Sequence, residues 1–373
     1  MAGQQHGEME QQAETPRLGA SHRFSVAPML DCTDRHFRVL MRQITRHSLL
    51  YTEMVVARAL HHARREPGAE RPGGRLERLI GFDPCERPLS LQVGGDDPAL
   101  LADIARLAAD WGYDEINLNV GCPSEKVRLG RFGACLMAQP DQVARCVAAM
   151  AAAVALPVTV KHRIGIDDRD SYPELLHFVD TLAAAGCQRF SVHARKAWLE
   201  GLDPKQNRTI PPLRHDWVHR LKADRAGLTI ELNGGLTTLA DCLRQLEQVD
   251  GVMVGRAAYD HPLRWLGVDR TIHGDREGPD GDLGGDRQRT AIAAAGVVRG
   301  LIPHAERWRQ RGDRLWPIAR HLVKLVEGVP GARRWRQELT LAAGPREAGP
   351  EVLEAAALLL ELGPSAQPSA AST

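Results

Sequence analysis

Long apolar runs are missing from this 373-residue chain. None approaches the roughly 20 consecutive apolar residues that a membrane-spanning helix requires. An excess of charge of one sign is missing too. With 48 Lys and Arg against 47 Asp and Glu, the formal net charge is +1. Any affinity for nucleic acid must therefore come from local patches. The seven cysteines are odd in number and include no CxxC pair, which argues against a disulfide framework or a zinc site. No metal is expected, and a reducing cytoplasm suits the free thiols. The N-terminal stretch MAGQQHGEMEQQAETPRLGA has neither the basic start nor the apolar centre of a signal peptide. Residues 1–20 are expected to be a disordered leader on a soluble cytoplasmic protein.

What is present is a regular alternation of strand and helix patterns. Short β-rich runs fall at Arg23–Met29, Leu49–Val56, Leu89–Val93, Glu115–Val120, Val158–Arg163, Arg189–His193, Leu228–Leu232 and Gly251–Val254. Between them lie amphipathic stretches such as Asp34–Ile44, Pro98–Trp111, 142–154 and Tyr172–Ala185. Short strands alternating with helices imply a parallel sheet with crossover connections. Eight such units predict a closed (β/α)8 TIM barrel over residues 21–270. A doubly wound open sheet is the alternative, but no GxGxxG follows the first strand.

The pattern breaks near residue 270. A Gly/Asp-rich segment marks a linker over 271–287, and only helical periodicity follows over 288–345. Residues 286–340 carry 12 Lys and Arg against 5 Asp and Glu, with Trp308, Trp316 and Trp335 interleaved among arginines. A charge run is ordinarily a solvated face, but basic charge and aromatics in one appended helical module suit a nucleic-acid partner. Residues 346–373 read as a polar, partly disordered tail.

Chemistry concentrates where barrel strands end. The run INLNVGCPSEKVRLGRFGACLM begins as a strand, then presents Cys122 on a proline-stiffened turn beneath a loop with glycines at 130 and 133. A buried cysteine is ordinarily packing, but a thiol at the C-terminal end of a barrel strand can serve as acid or nucleophile. The other strand ends add Met29, Asp31, Glu53, Gln92, Asn117, Asn119, Lys161, His162, His193, Arg195, the Asn233-Gly234-Gly235 turn and Gly255-Arg256. Each alone has a structural explanation. Together they exceed what a barrel needs in order to fold. The last two turns offer backbone N–H groups and a guanidinium after strands seven and eight, where barrels bind phosphate. Flavin mononucleotide (FMN) fits such a site, and so does pyridoxal phosphate.

The chain resembles the tRNA-dihydrouridine synthases of the bacterial A subfamily. The resemblance rests on APMLDCTDRHFR (27–38), LNVGCPSEKVRLGRFGACLM (118–137), VKHRIGID (160–167), VHARKAWLEGLDPKQNRTIPPL (192–213), NGG (233–235), GVMVGRAAY (251–259) and GARRWRQEL (331–339). It spans about residues 22–345. One departure is Cys32, where the family usually has tryptophan. The resemblance implies reduction of the C5=C6 bond of D-loop uridines at tRNA positions 20 and 20a, with FMN as cofactor and NADPH as its reductant. It assigns Pro28, Met29, Gln92, Lys161, His193, Asn233, Gly234, Gly235, Gly255 and Arg256 to FMN. It makes Cys122 the proton donor and places Asn119 at the substrate base. Lys205 and Arg208 of PKQNR, with Arg333 and Arg336 of GARRWR, are implied tRNA contacts, and no protein partner is implied.

Elementary chemistry agrees with that role for the thiol. A donor with an ordinary pKa near 8.5 keeps its proton at neutral pH yet can release it. Two rival readings are a small-molecule flavin reductase of the dihydroorotate dehydrogenase type and a non-catalytic tRNA-binding protein. The basic helical module argues against the first, and intact Cys122, Lys161 and Asn-Gly-Gly against the second.

Overall fold

A computed structural model describes residues 18–279, 281, 286–326 and 331–362. The parallel strands are β1 Phe24–Val26, β2 Leu49–Tyr51, β3 Val55–Val56, β4 Leu89–Gly94, β5 Glu115–Val120, β6 Val158–Arg163, β7 Arg189–His193, β8 Thr229–Asn233 and β9 Gly251–Val254. Their order is β2-β1-β9-β8-β7-β6-β5-β4-β3, and β2 also pairs with β4, which closes the ring into a (β/α)8 TIM barrel. β2 and β3 are two pieces of one barrel strand, expected as a continuous run. They separate because the Thr52 hydroxyl accepts the Gln92 N–H at 3.1 Å and donates to the Glu53 carbonyl at 2.8 Å, replacing ladder bonds.

Alternation assigns the two faces. In β5, Ile116, Leu118 and Val120 are fully buried beneath the helical layer, while Glu115, Asn117 and Asn119 point into the barrel. The surrounding helices begin on strong caps. Asp34 accepts from His36 and Phe37 N–H, Asp97 caps the helix Pro98–Asp110, and Ser171 with Glu174 forms a capping box. Their apolar stripes complete one continuous core.

Beyond the barrel, helices span Arg287–Gly300, Ile302–Gln310, Trp316–Ala319 and Ala332–Ala343. The leader expected over 1–20 lies almost wholly outside the described residues, as do parts of the linker and everything beyond 362. The expectation of a polar tail from 346 is corrected by a further helix, Glu351–Leu362, that buries Leu353, Ala356, Ala357 and Leu360. Its Ala356 carbonyl accepts from the Trp335 indole at 2.7 Å, and Arg299 pairs with Glu354 and Glu361. This helix has little reason to form alone. Its apolar face exists to cover the helices Arg287–Gly300 and Ala332–Ala343.

The module docks on the barrel at Asp34, which pairs with Arg320 and, at 2.9 Å, with His321. Arg307 reaches Asp83 at 2.8 Å, and His36 contacts His304 at 2.9 Å. Replacing Leu353 by Ala is expected to destabilise the protein by about 2–5 kcal/mol. Urea unfolding would register this as a lower midpoint at unchanged slope, and a native midpoint would mean that the helix is not part of the fold.

Candidate active site

Cys122 sits on a turn held from three directions. The Asn119 side-chain oxygen accepts from the backbone N–H of Gly121 and Cys122, at 3.1 and 3.0 Å. Ala134 N–H donates to the Cys122 carbonyl at 2.9 Å. From the end of β6, the buried Arg163 guanidinium donates to the carbonyls of Gly121, Lys196 and Asn207, at 2.9, 2.9 and 3.0 Å. The thiol is half-buried, with Ser124 Oγ 3.5 Å from its sulfur.

The loop that follows is docked over this turn. Phe132 is buried against Gly94 and Gly130, where an added Cβ would come within 2.7 and 2.4 Å of its ring. Gly133 has φ +76, and a Cβ there would lie 2.6 Å from the Cys122 carbonyl oxygen. Cys135 on the same loop is a packing residue whose thiol donates to the Phe132 carbonyl at 3.2 Å.

Cations gather around the thiol. Lys161 donates to Asn233 Oδ1 at 3.1 Å, and Asn233 donates to the Met253 carbonyl at 2.8 Å. Burial, with Arg163 as neighbour, pushes the lysine pKa down to about 8. Burial, Arg163 and Lys161 together hold His193 neutral, far below its ordinary pKa. Its Nδ1 has no partner among the described residues. Arg195 and Arg208 are pushed down by burial and by the charge of Arg256, so three guanidinium groups share one electrostatic neighbourhood. Among the described residues, Lys161, Arg163, Arg195, Arg208 and Arg256 make no salt bridge. Such a set fits a phosphate-bearing ligand.

The turn after β8 is shaped for close approach. Gly234 and Gly235 have φ +109 and +75, and a Cβ at Gly235 would meet Leu213 at 2.5 Å. His193 lies against Gly234, within 3.3 Å of where a Cβ would stand. Gly255 differs. A Cβ there would make ordinary contacts with Met29 at 3.5 Å and Ala27 at 3.6 Å, so space alone does not demand glycine. Pro28 and Met29 are half-buried in the loop after β1, and Met29 N–H donates to Thr33 Oγ1 at 3.0 Å. Gln92 faces inward between Asn117 and Asn119 and bonds to both at 2.8 Å.

Other expected residues fall elsewhere. His162 is turned away from the rim, because alternation puts it on the face opposite Lys161 and Arg163. It packs against Phe178 and Phe190, with ring centroids at 5.1 and 5.8 Å. The segment PKQNR folds around buried Asn207, whose amide bonds the backbone of Trp198 and Leu202. Lys205 is left exposed and Arg208 half-buried, with its Nε unpartnered among the described residues.

Two of the three tryptophans named in the helical module are committed to contacts within the protein. Trp335 is buried, and Trp308 is enclosed by His36, Arg35 and Arg311. Many module arginines are engaged within the protein, including Arg299, Arg307, Arg311, Arg320 and Arg334. Arg333 and Arg336 have no acidic partner among the described residues. The reading from sequence missed Arg163 and Asn207. Arg163 was visible in principle, two residues after Lys161 on the same face of β6.

Against this geometry, a family model described as Dihydrouridine synthase (Dus) matches residues 25–361. The chain belongs to the dihydrouridine synthase family. Among its relatives, the tRNA-dihydrouridine(20/20a) synthase of Synechocystis sp. is 53% identical over 332 residues, covering 89% of this chain and 92% of that protein. The enzyme of the same name from Xanthomonas axonopodis is 48% identical, covering 92% and 96%. That of Escherichia coli is 47% identical, covering 91% and 92%. For this member of the family, the Cys122 turn depends on the forked donor of Arg163. Arg163→Lys keeps the charge but not the fork, and is expected to cost about 1.5–3 kcal/mol for each carbonyl released. Thermal unfolding would report the loss, and an unchanged Tm would remove Arg163 from this role.

Proposed function

We propose that this protein reduces uridines 20 and 20a in the D-loop of tRNA to 5,6-dihydrouridine, with FMN as its cofactor and NADPH as the source of electrons, in the cytoplasm. The observation that carries this reading is the thiol of Cys122 at the end of β5, beside cations that make no salt bridge among the described residues. Family membership and the names of the relatives supply the substrate class.

The residues fit the cofactor. The Asn233–Gly235 turn, Gly255 and Arg256 would hold its phosphate. Lys161, Gln92 and His193 would face the ring system, and Pro28 and Met29 would cover it. When bound and reduced, FMN supplies the hydride for C6 of the base. The protein's part is to deliver a proton to C5, and Cys122 Sγ is the donor. Release of that proton leaves a thiolate. Lys161, Arg163 and Arg208 are all close enough to feel a charge on this sulfur, and they stabilise it as it forms. Ser124 stands beside the sulfur to hydrogen-bond the same charge. The docked loop 122–138 keeps water from the site once the base is in place.

A D-loop uridine must leave its stack to reach the thiol, at a cost of a few kcal/mol. Phosphate contacts from Lys205, Arg208, Arg333 and Arg336 offset that cost. Binding to tRNA should therefore weaken with salt. In the Arg333→Ala/Arg336→Ala double variant, the slope of log Kd against log salt is expected to fall by about 1 for each phosphate that is no longer neutralised. A slope equal to the native one would exclude these residues from the interface.

The deciding experiment is dihydrouridine mapping on unmodified tRNA incubated with FMN and NADPH. The native protein should convert positions 20 and 20a, and Cys122→Ala should be slower by about 100-fold to 10,000-fold. If FMN is bound and NADPH consumed without any dihydrouridine, the tRNA assignment fails and a small-molecule reductase takes its place. A pH series tests Lys161. Its charge is disfavoured in the empty site and favoured by an anionic ligand, so affinity for reduced FMN should fall as pH rises through about 8. Lys161→Arg should remove that step, and a native pH profile in this variant would exclude the lysine as its cause.

A further inference from the structure

A chain of side-chain hydrogen bonds runs from the interior of the barrel to the Cys122 turn, and its chemistry determines which way every link points. Backbone N–H groups can only donate. Those of Gly121 and Cys122 both reach one side-chain atom of Asn119, at 3.1 and 3.0 Å, so that atom is the carbonyl oxygen. The other Asn119 atom is then the NH2 group, which donates to Gln92 Oε1 at 2.8 Å. The Gln92 NH2 group in turn donates to Asn117 Oδ1 at 2.8 Å. Asn117 NH2 donates to Thr159 Oγ1 at 2.9 Å. The Thr159 hydroxyl proton is left for Glu115 Oε1, at 2.8 Å.

The far end agrees with the near end. Glu115 is fully buried and pairs with Arg189, so it is an ionised carboxylate that can only accept. Ser90 and Tyr51 also donate to its Oε1, at 2.8 and 3.1 Å. With obligatory donors at one end and an obligatory acceptor at the other, no amide between them can turn over without facing like against like. Asn119 therefore has one N–H left for a ligand and no free carbonyl in the plane of its bonds. What faces it must be a hydrogen-bond acceptor.

We propose that Thr159 is a positioning residue for this reaction. Through the relay it holds Asn119 as a donor toward the reacting base, so that the site takes a pyrimidine by a carbonyl edge and turns away an amino edge. The statement about the base rests on the functional reading above. The relay itself does not.

Two variants of Thr159 test it. Thr159→Val keeps the shape and loses the hydroxyl, while Thr159→Ser keeps the hydroxyl. In 15N-labelled, ligand-free protein, Thr159→Val should shift the side-chain amide signals of Asn117, Gln92 and Asn119 together, and Thr159→Ser should leave them near native. In flavin-loaded enzyme, kcat for dihydrouridine formation should fall by about 10-fold to 100-fold in Thr159→Val, with tRNA affinity near native and rescue by serine. Movement of the Asn117 signal alone, native kcat in Thr159→Val, or a serine variant as impaired as valine would each overturn the proposal.

If Thr159→Val does not fold, Asn119→Asp carries the test. It keeps the cap on Gly121 and Cys122 and reverses polarity toward Gln92, so the Gln92 and Asn117 signals should both move. Unmoved signals would overturn the relay. If the native protein forms no dihydrouridine, the functional reading fails on its own, and the amide signals still decide the relay.

Discussion

The closed parallel barrel imposes one constraint on everything inside it: side chains that alternate inward have no solvent and must satisfy each other. Many barrels of this kind fill that space with branched aliphatic residues. This chain places Ser25, Ser90, Gln92, Glu115, Asn117, Thr159, Arg189, Ser191 and Glu231 there, all buried. Glu231 accepts from Ser25 and Ser191, and Glu115 from Tyr51, Ser90 and Thr159. Burial raises the pKa of Glu231, and the charge of Arg189 offsets part of that penalty. An interior of this kind gains less from burial than an aliphatic one. What it provides is orientation, because an amide turned over in this network would set donor against donor or acceptor against acceptor.

The rim obeys the opposite logic. Lys161, Arg163, Arg195, Arg208 and Arg256 stand near one another without salt bridges among the described residues, and burial or neighbouring charge lowers the pKa of Lys161, Arg163, Arg195 and Arg208. Such repulsion is tolerated because the barrel beneath holds these side chains in place, and an anion set among them would relieve it. Lys161, Arg163 and Arg208 also stand within electrostatic reach of the Cys122 sulfur.

The helical module is tied to that rim through the loop after β1. Asp34 caps the first barrel helix and also receives Arg320 and His321 from the module. Burial would raise its pKa, but the His321 imidazole beside it and the backbone N–H of Phe37 hold it well below the usual carboxylate range. Arg320 also donates to the Asp31 carbonyl at 3.0 Å, and Asp31 N–H donates to Glu53. The loop that carries Pro28 and Met29 is therefore braced by both parts of the protein. A module whose sequence suggested only RNA contact also helps to shape the rim beside Pro28 and Met29.

By itself the sequence determined what depends on local periodicity. β6, β7 and β9 fall on the residues that alternation indicated, and Cys122, Lys161 and the Asn233–Gly235 turn all lie at strand ends where a parallel barrel gathers its chemistry. Only the tertiary structure decided what depends on closure and on long-range partners. The role of Arg163 exists because β6 stands beside the β5 turn and the segment around Asn207, more than 30 residues away in either direction. His162 stands at a strand end by its place in the sequence, but the face it takes on β6 turns it away from the rim, against Phe178 and Phe190. The helix Glu351–Leu362 read as a tail because the surface it covers is built from residues far earlier in the chain. Trp335 read as one of the aromatics of a module suited to nucleic acid for the same reason, although its indole is committed to that helix. A residue's own pattern shows which face it takes, but its neighbour across a fold is fixed by packing that no short stretch contains.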